Sequence, residues 1–160
     1  MENYMKLEVA ALGENEGFAR SAVAAFALCL NPSLSELSDV KTAVSEAVTN
    51  SIVHAYGKGE VRQAIVIECR VKTESSGGVL HITVTDAGRG IENVEQAVQP
   101  FFTTLEHEER SGMGFTIMQS FMDGFLLESR KGEGTRVTMW KRLGGALPDA
   151  INVEKERIDA

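Results

Sequence analysis

The sequence predicts an α+β fold in which one mixed, mostly antiparallel sheet carries its helices on one face. Segments that alternate apolar and polar residues adjoin along the chain and are joined by short turns, so neighbouring strands should pair antiparallel. Segments with helical spacing occur in separate groups instead of following every strand, as they would in a parallel sheet. A chain of 160 residues suffices for one such domain with a substantial core.

The N-terminal third is predicted to contain one strand and two helices. Residues 5–9 alternate in polarity and indicate an opening strand, and helical spacing follows over 15–30. We expect the apolar residues of that first helix to face the core, namely Phe18, Ala22, Ala25, Phe26 and Cys29. Ser33 and Glu36 have the spacing of a capping box, which starts a second helix that ends near Tyr56.

The rest of the chain changes period. Two alternating segments, 61–72 and 80–84, predict strands separated by a serine- and glycine-rich turn. The polar stretch 92–112 predicts a short helix followed by a long loop, and a third helix opens at 112–114. A hairpin over 125–140 completes the sheet. We expect one domain over residues 1–142 and a polar C-terminal tail over residues 143–160.

Composition narrows the class of function. The net charge of −7, from 16 basic and 23 acidic residues, makes the chain a poor general binder of nucleic acid or anionic membrane. Cys29 and Cys69 lie in apolar segments, so we expect two buried thiols in a reducing cytoplasm rather than a disulfide or zinc site. The most apolar stretch, 22–30, is too short to span a bilayer.

Three motifs carry potential chemistry. Glu46, Asn50 and His54 follow at intervals of four residues and share one face of the second helix, which by itself also fits a solvated edge. The pentapeptide DAGRG at 86–90 follows a strand; it places a carboxylate and two glycines where a ligand can approach the backbone, or it is an ordinary turn. SGMG at 111–114 opens a helix, whose N-terminus attracts anions, although Gly-x-Gly alone is a weak signal.

The order of these motifs is more specific than any one of them. A Glu/Asn helix, a strand ending in Asp-x-Gly-x-Gly, a long loop, Gly-x-Gly at a helix start and a Gly-Thr strand resemble the GHKL ATPase superfamily, which includes gyrase and histidine kinases. The segment EAVTNSIVHAY at 46–56, with PFFTT and ERSGMGFTIM further on, is similar to the anti-sigma serine kinases of spore-forming bacteria. The likeness spans residues 1–142 and implies a Bergerat-type sandwich fold.

The resemblance implies roles for individual residues. Asn50 would be the Mg²⁺ ligand, and Asp86 would accept the adenine amino group of ATP. Gly88 and Gly90 would leave room for the base, and the Thr135 hydroxyl would help to hold it. The positions assigned in this way to nucleotide binding are Asn50, Asp86, Gly88, Gly90, Thr103, Thr104, Arg110, Ser111, Gly112, Met113, Gly114 and Thr135.

The remaining implied roles concern the phosphates, the lid and the partners. Backbone N–H groups of 112–114 would bind the phosphates, and a lid beginning at Thr103 and Thr104 would close over ATP. Glu46 would be the catalytic base. Arg110 would contact phosphate or the protein substrate, and Arg20 would contact a sigma factor or its antagonist.

The resemblance therefore implies a cytoplasmic, homodimeric anti-sigma protein that is also an ATP- and Mg²⁺-dependent serine kinase. It would sequester a sporulation RNA polymerase sigma factor of the sigma F type and phosphorylate the anti-anti-sigma protein that antagonises it. Neither direct binding of nucleic acid nor a membrane role is expected. The alternatives are the ATP-binding catalytic domain of a histidine kinase, a stress-response anti-sigma kinase, and a non-catalytic nucleotide-gated binding module.

Overall fold

A computed structural model describes residues 2–56, 63–100 and 113–145 of the chain. Its five strands form one sheet in the order β1-β2-β3-β5-β4. The strands are β1 (Glu2–Ala10), β2 (Ala64–Thr73), β3 (Gly78–Asp86), β4 (Gly124–Arg130) and β5 (Gly134–Leu143). The helices are α1 (Glu14–Ala27), α2 (Leu34–Asn50), α3 (Val94–Ala97) and α4 (Gly114–Phe121). The predicted α+β class is confirmed, but the four described strand pairings are all antiparallel, so this sheet is not mixed.

The helix that carries the first motif, α2, starts as the sequence predicts. The Ser33 hydroxyl accepts the N–H of Glu36, and the Glu36 carboxylate accepts the N–H of Ser33, at 3.2 and 2.7 Å. This reciprocal capping box satisfies two N–H groups that a helix start otherwise leaves without partners. A five-residue π-helical turn, Ser51–Ala55, continues α2 towards the middle of the molecule.

The core lies between α1, α2 and α4 and one face of the sheet. Its largest completely buried side chains include residues of the central strands, of α4 and of the turn that follows α1: Leu30, Ile65, Ile67, Leu80, Ile82, Met118, Met139 and Leu143. Because Leu143 is buried and ends β5, the strand continues one residue beyond the predicted domain boundary. The predicted tail lies outside the described residues from 146 onward.

The predicted buried face of α1 is wrong for three of its five residues, whereas Phe26 packs against the core and Ala22 is half-buried. Phe18 is 57% exposed, and Ala25 and Cys29 are also exposed. The residues that α1 buries are smaller: Ala19, Val23, Ala24 and Ala27. Small side chains let the helix axis approach α2 and the sheet, and the bulkier Phe18 is left on the outside. Only Cys69 is the buried thiol that the sequence analysis expected, and burial raises its pKa to about 12.

Lys141 fastens the C-terminal end of α4. Its side chain is 13% exposed, and its ammonium group donates to the carbonyl of Phe121 at 2.8 Å. The same group lies 3.3 Å from the Asp39 carboxylate of α2 and 3.9 Å from that of Asp123. This cation therefore joins β5, α2 and the end of α4, where the helix dipole favours positive charge.

Candidate functional site

Glu46 and Asn50 meet the first residue of α4. A Cβ placed on Gly114 would lie 3.0 Å from Nδ2 of Asn50 and 3.2 Å from Oε2 of Glu46. Their spacing of four residues stacks the two side chains on one face of α2. The fold thus brings the first and third motifs together, 64 positions apart in the case of Asn50 and Gly114 (114 − 50).

The start of α4 offers backbone donors at this point. Gly114 is its first residue, and the preceding Met113 has no side-chain acceptor to cap the helix. The first N–H groups of a helix lack intrahelical partners, and the helix dipole adds partial positive charge there. Phosphate oxygens suit such an end. Ser111 and Gly112, the other residues of this motif, lie outside the described residues, as do Thr103, Thr104 and Arg110.

The second motif lies along the π-helical turn, with contacts at both of its ends. Asp86 ends β3, and its carboxylate accepts the Ser51 hydroxyl at 2.9 Å and the N–H of Gly88 at 3.0 Å. Burial raises the pKa of Asp86, and hydrogen bonds from Gly88, Ser51 and the N–H of Thr135 oppose that rise. Such a carboxylate suits a neutral N–H donor, because it has already been desolvated by the fold.

Two further hydrogen bonds fasten this loop to the π-helical turn. The N–H of Ala87 donates to the Tyr56 hydroxyl at 3.1 Å, and the N–H of Arg89 donates to the carbonyl of Ala55 at 3.0 Å. Gly88 is required here, because a Cβ would overlap both the side chain and the carbonyl of Ala55. The adenine-recognition loop that the resemblance implies is therefore built directly on the end of the helix that carries Asn50.

The β4–β5 hairpin closes the opposite side of the loop. The Ser129 hydroxyl donates to the carbonyl of Gly134 at 2.7 Å and accepts the N–H of Ile91 at 2.8 Å. The Thr135 hydroxyl lies 2.9 Å from that of Ser129, whose own proton is already engaged, so Thr135 is the donor of this pair. Gly90 adopts φ 69°, and a Cβ there would overlap the carbonyl of Arg130.

Arg20 lies outside this cluster of motifs but borders a groove that reaches it. The Arg20 guanidinium lies 3.3 Å from the Glu16 carboxylate and is 37% exposed. The groove encloses about 380 Å³ between α1 and α2. Its lining residues are Arg20, Leu34, Leu37, Ser38, Lys41, Thr42, Ser45 and Glu46. A surface that begins at the exposed Leu34 therefore ends at the carboxylate beside Gly114.

The donor set fits a magnesium ion that shares its ligands with phosphate. Within residues 2–56, 63–100 and 113–145, no group of three or more His, Cys, Asp or Glu side chains forms a protein-only metal site. Asn50 supplies a hard amide oxygen next to the start of α4, where phosphate oxygens would supply further ligands. In the same described ranges, no helix combines the length and apolar character needed to cross a membrane.

Sequence reasoning did not assign roles to Ser51, Tyr56 or Ser129. These residues hold the predicted site residues Asp86 and Thr135 or the loop between them. Ser51 directly follows Asn50, and that adjacency was the available signal in the sequence. The partner Asp86 is 35 positions away, and local spacing does not identify it.

Comparison with known proteins gives the family. The family described as histidine kinase-like ATPase domain matches residues 9–141. An anti-sigma F factor of Clostridium botulinum is 51% identical over 141 residues, which cover 88% of this chain and 95% of that protein. The chain belongs to the histidine kinase-like ATPase family and, within it, to the anti-sigma F factors. This membership confirms the resemblance that the motifs indicated.

Other anti-sigma F factors match to the same extent. That of Anoxybacillus flavithermus is 50% identical over 146 residues, covering 89% of this chain and 94% of that protein. That of Thermoanaerobacter pseudethanolicus is 50% identical over 142 residues, covering 89% and 95%. The family membership thus rests on nearly the full length of several relatives.

A solved structure supports the fold independently. The RsbU and RsbW domains of a Mycobacterium tuberculosis protein align with a TM-score of 0.62 over 89% of this chain and 33% of that chain. The sequence identity is 16%, so this likeness shows a shared fold and no more.

Proposed function

We propose that this anti-sigma F factor relative binds ATP with Mg²⁺ and transfers a phosphoryl group to a serine of an anti-anti-sigma protein. The observation that carries the proposal is the convergence of Glu46, Asn50 and Gly114 at the start of the π-helical turn, with Asp86 bonded to Ser51, the first residue of that turn. Glu46 would supply the carboxylate of a general base, Asn50 an amide oxygen for the metal, and the start of α4 N–H groups for the phosphates. These three groups lie side by side, as a bound nucleotide would need.

Glu46 would act as the general base. Its carboxylate lies beside Asn50 and the start of α4, so an acceptor hydroxyl near the phosphates would also be near Oε2. Glu46 would take the proton of that serine hydroxyl as the serine oxygen bonds to the γ-phosphorus of ATP, and the bond from that phosphorus to the bridging oxygen would break to release ADP. MgATP supplies the phosphoryl group when bound, and Asn50 would hold the metal. Asp86 and Thr135 would bind the adenine of ATP.

The protein substrate would enter along the groove between α1 and α2. Arg20 and Lys41 place positive charge on it in a chain whose net charge is −7. Lys41 makes no ion pair with a residue of the described ranges, so its charge is available to a partner. Leu34, 88% exposed, adds an apolar contact at the far end. An acidic segment with an apolar side chain fits this surface.

We also propose that a sigma factor of the sigma F type binds a surface that includes Arg20, in competition with the anti-anti-sigma protein. The names of the relatives support this proposal. A homodimer is proposed as well, because β1 lies at the edge of the sheet and Tyr4 on that strand is 78% exposed. Analytical ultracentrifugation of the purified chain measures its oligomeric state directly.

The test of the kinase proposal is transfer of labelled phosphate from ATP to a purified anti-anti-sigma protein. Glu46→Gln should retain ATP binding and lower the transfer rate by about 10²- to 10⁴-fold, the contribution of a general base. Glu128→Gln, on the exposed side of β4, is the matched control and should transfer at the parental rate. Acid-stable phosphoserine is expected; acid-labile phosphohistidine would favour the histidine-kinase alternative, and binding without transfer would favour a nucleotide-gated module.

A further inference from the structure

Ser51 and Asp86 form an isolated polar pair inside the protein. They are the buried polar or charged residues of the described part of the chain, and each is 5% exposed. The Ser51 hydroxyl donates to Oδ2 of Asp86 at 2.9 Å, across 35 positions of sequence. A buried hydroxyl that donates to a carboxylate restricts the rotation of both side chains. The orientation of Asp86 therefore depends on a residue that belongs to another motif.

Counting hydrogen bonds shows how little of the carboxylate remains open. A carboxylate accepts about four hydrogen bonds. Three donors of this chain already reach Asp86: the Ser51 hydroxyl, the N–H of Gly88 and the N–H of Thr135. About one acceptor position is left, and its direction is set by the other three. A ligand group must offer a single N–H or O–H in that direction to be accepted.

Ser51 is itself held by the helix that carries Glu46 and Asn50. It begins the π-helical turn, and its backbone N–H donates to the carbonyls of Ala47 and Val48 in α2. Local π-helical turns frequently occur at functional sites, where they displace a side chain from its α-helical position. Here Asn50 and Ser51 are consecutive, with Asn50 near Gly114 and Ser51 bonded to Asp86.

We propose that Ser51 is a positioning residue that fixes the Asp86 carboxylate so that its remaining acceptor position selects a purine with a 6-amino group. This inference rests on the proposed binding of ATP. A 6-amino group offers the required N–H, a 6-oxo group presents an acceptor to a carboxylate, and an unsubstituted position offers neither. Without Ser51, Asp86 would gain rotational freedom and lose one donor, and both changes weaken its discrimination between these bases.

The experiment compares Ser51→Ala with Ser35→Ala, an exposed serine on α2 outside the groove that serves as the matched control. Dissociation constants are measured by calorimetry for ATP, ITP and purine riboside triphosphate, which has no 6-substituent. Ser51→Ala should weaken ATP binding about tenfold, as a hydrogen bond to a charged group would predict. Purine riboside triphosphate should bind within about twofold of the parental value, so the preference for ATP falls. Ser35→Ala should change neither affinity.

A second readout does not need nucleotide. The carbon NMR signal of the Asp86 carboxyl is titrated in the free protein, where Tyr56 is the titratable neighbour whose own pKa responds to Asp86. Removing a donor to the ionised carboxylate disfavours ionisation, so the Asp86 pKa should be higher in Ser51→Ala. Ser51→Cys keeps a similar shape with a weaker donor and should give an intermediate pKa and an intermediate ATP preference. If Ser51→Ala destabilises the fold, Ser51→Cys still tests the inference.

The outcomes separate this inference from the proposed function. A parental protein that binds ATP, with an unchanged ratio of ATP to purine riboside triphosphate affinity in Ser51→Ala and Ser51→Cys, overturns the role of Ser51 alone. Equal weakening of both nucleotides would mean a merely structural role and also overturns it. A parental protein that binds none of the three nucleotides refutes the proposed function, and the role of Ser51 with it.

Discussion

Gly114→Ala is expected to separate folding stability from nucleotide binding. Gly114 is the first residue of α4 and does not have a positive φ, so its backbone does not require glycine. Alanine is more favourable than glycine in a helix by about 1 kcal/mol. For a domain of this size that corresponds to a rise of about 3 °C in the melting temperature. The backbone alone therefore predicts a protein that is at least as stable as the parent.

The site predicts the opposite effect on binding. The new Cβ would lie 3.0 Å from Nδ2 of Asn50 and 3.2 Å from Oε2 of Glu46. These contacts are tighter than ordinary van der Waals separation, and both atoms are ends of side chains that can yield by a few tenths of an ångström. Displacing a metal ligand or its support on this scale typically costs about 10- to 100-fold in metal affinity. We expect Mg²⁺-dependent ATP binding to weaken by that factor.

The assay is calorimetric titration of ATP with excess Mg²⁺ and again with a chelator, alongside thermal unfolding by circular dichroism. The loss of ATP affinity in Gly114→Ala should be seen with Mg²⁺ and should nearly disappear when the chelator removes Mg²⁺. Gly17→Ala is the matched control, because Gly17 is also helical and its added Cβ meets only the end of the Arg20 side chain at 3.5 Å. Parental ATP affinity in Gly114→Ala with Mg²⁺ would refute the placement of the metal and phosphates between α2 and α4.

Two further predictions address the metal ligand and the partner surface. Asn50→Ala should abolish Mg²⁺-dependent nucleotide binding without loss of helical structure, since alanine favours helix; unchanged ATP affinity in excess Mg²⁺ contradicts the assigned ligand. Arg20→Glu should weaken sigma-factor binding by several kcal/mol at saturating nucleotide, because a reversed charge repels an acidic partner and also Glu16. Lys72→Glu, an exposed reversal on β2, should leave that affinity unchanged, and equal sigma affinity of Arg20→Glu and parent would remove Arg20 from the interface.

Features that depend on short sequence separation could be predicted from the sequence. The capping box of Ser33 and Glu36 involves two residues three positions apart, and the structure contains both of its hydrogen bonds. Alternation of polarity likewise predicted the strands, because period-2 burial is a property of each strand by itself, and short turns predicted that neighbouring strands pair antiparallel. The common face of Glu46 and Asn50 follows from helix geometry, and their nucleotide roles remain predictions.

Features that depend on packing between distant segments could not be predicted from the sequence. The first helix has apolar residues around much of its circumference, and its spacing pointed to the side that carries Phe18. The fold buries Ala19 and Val23 instead, because close approach to α2 and the sheet favours small side chains. Ser51 was expected only as a continuing position of α2. Its bond to Asp86 requires a π-helical turn, which has no sequence periodicity of its own.

The hydrogen bond from Lys141 to the carbonyl of Phe121 holds the C-terminal end of α4, so a tilt of this short helix would move mainly its N-terminal end. Eight residues at 1.5 Å each give a length of about 12 Å between the anchored carbonyl of Phe121 and the N-terminal Gly114. A tilt of about 10° about the anchored end would move Gly114 by roughly 2 Å, which is comparable to the 3.0 Å between a Cβ placed there and Nδ2 of Asn50. A displacement of the N-terminal end of α4 would therefore change the distance between Gly114 and Asn50, while the end held by Lys141 would stay in place.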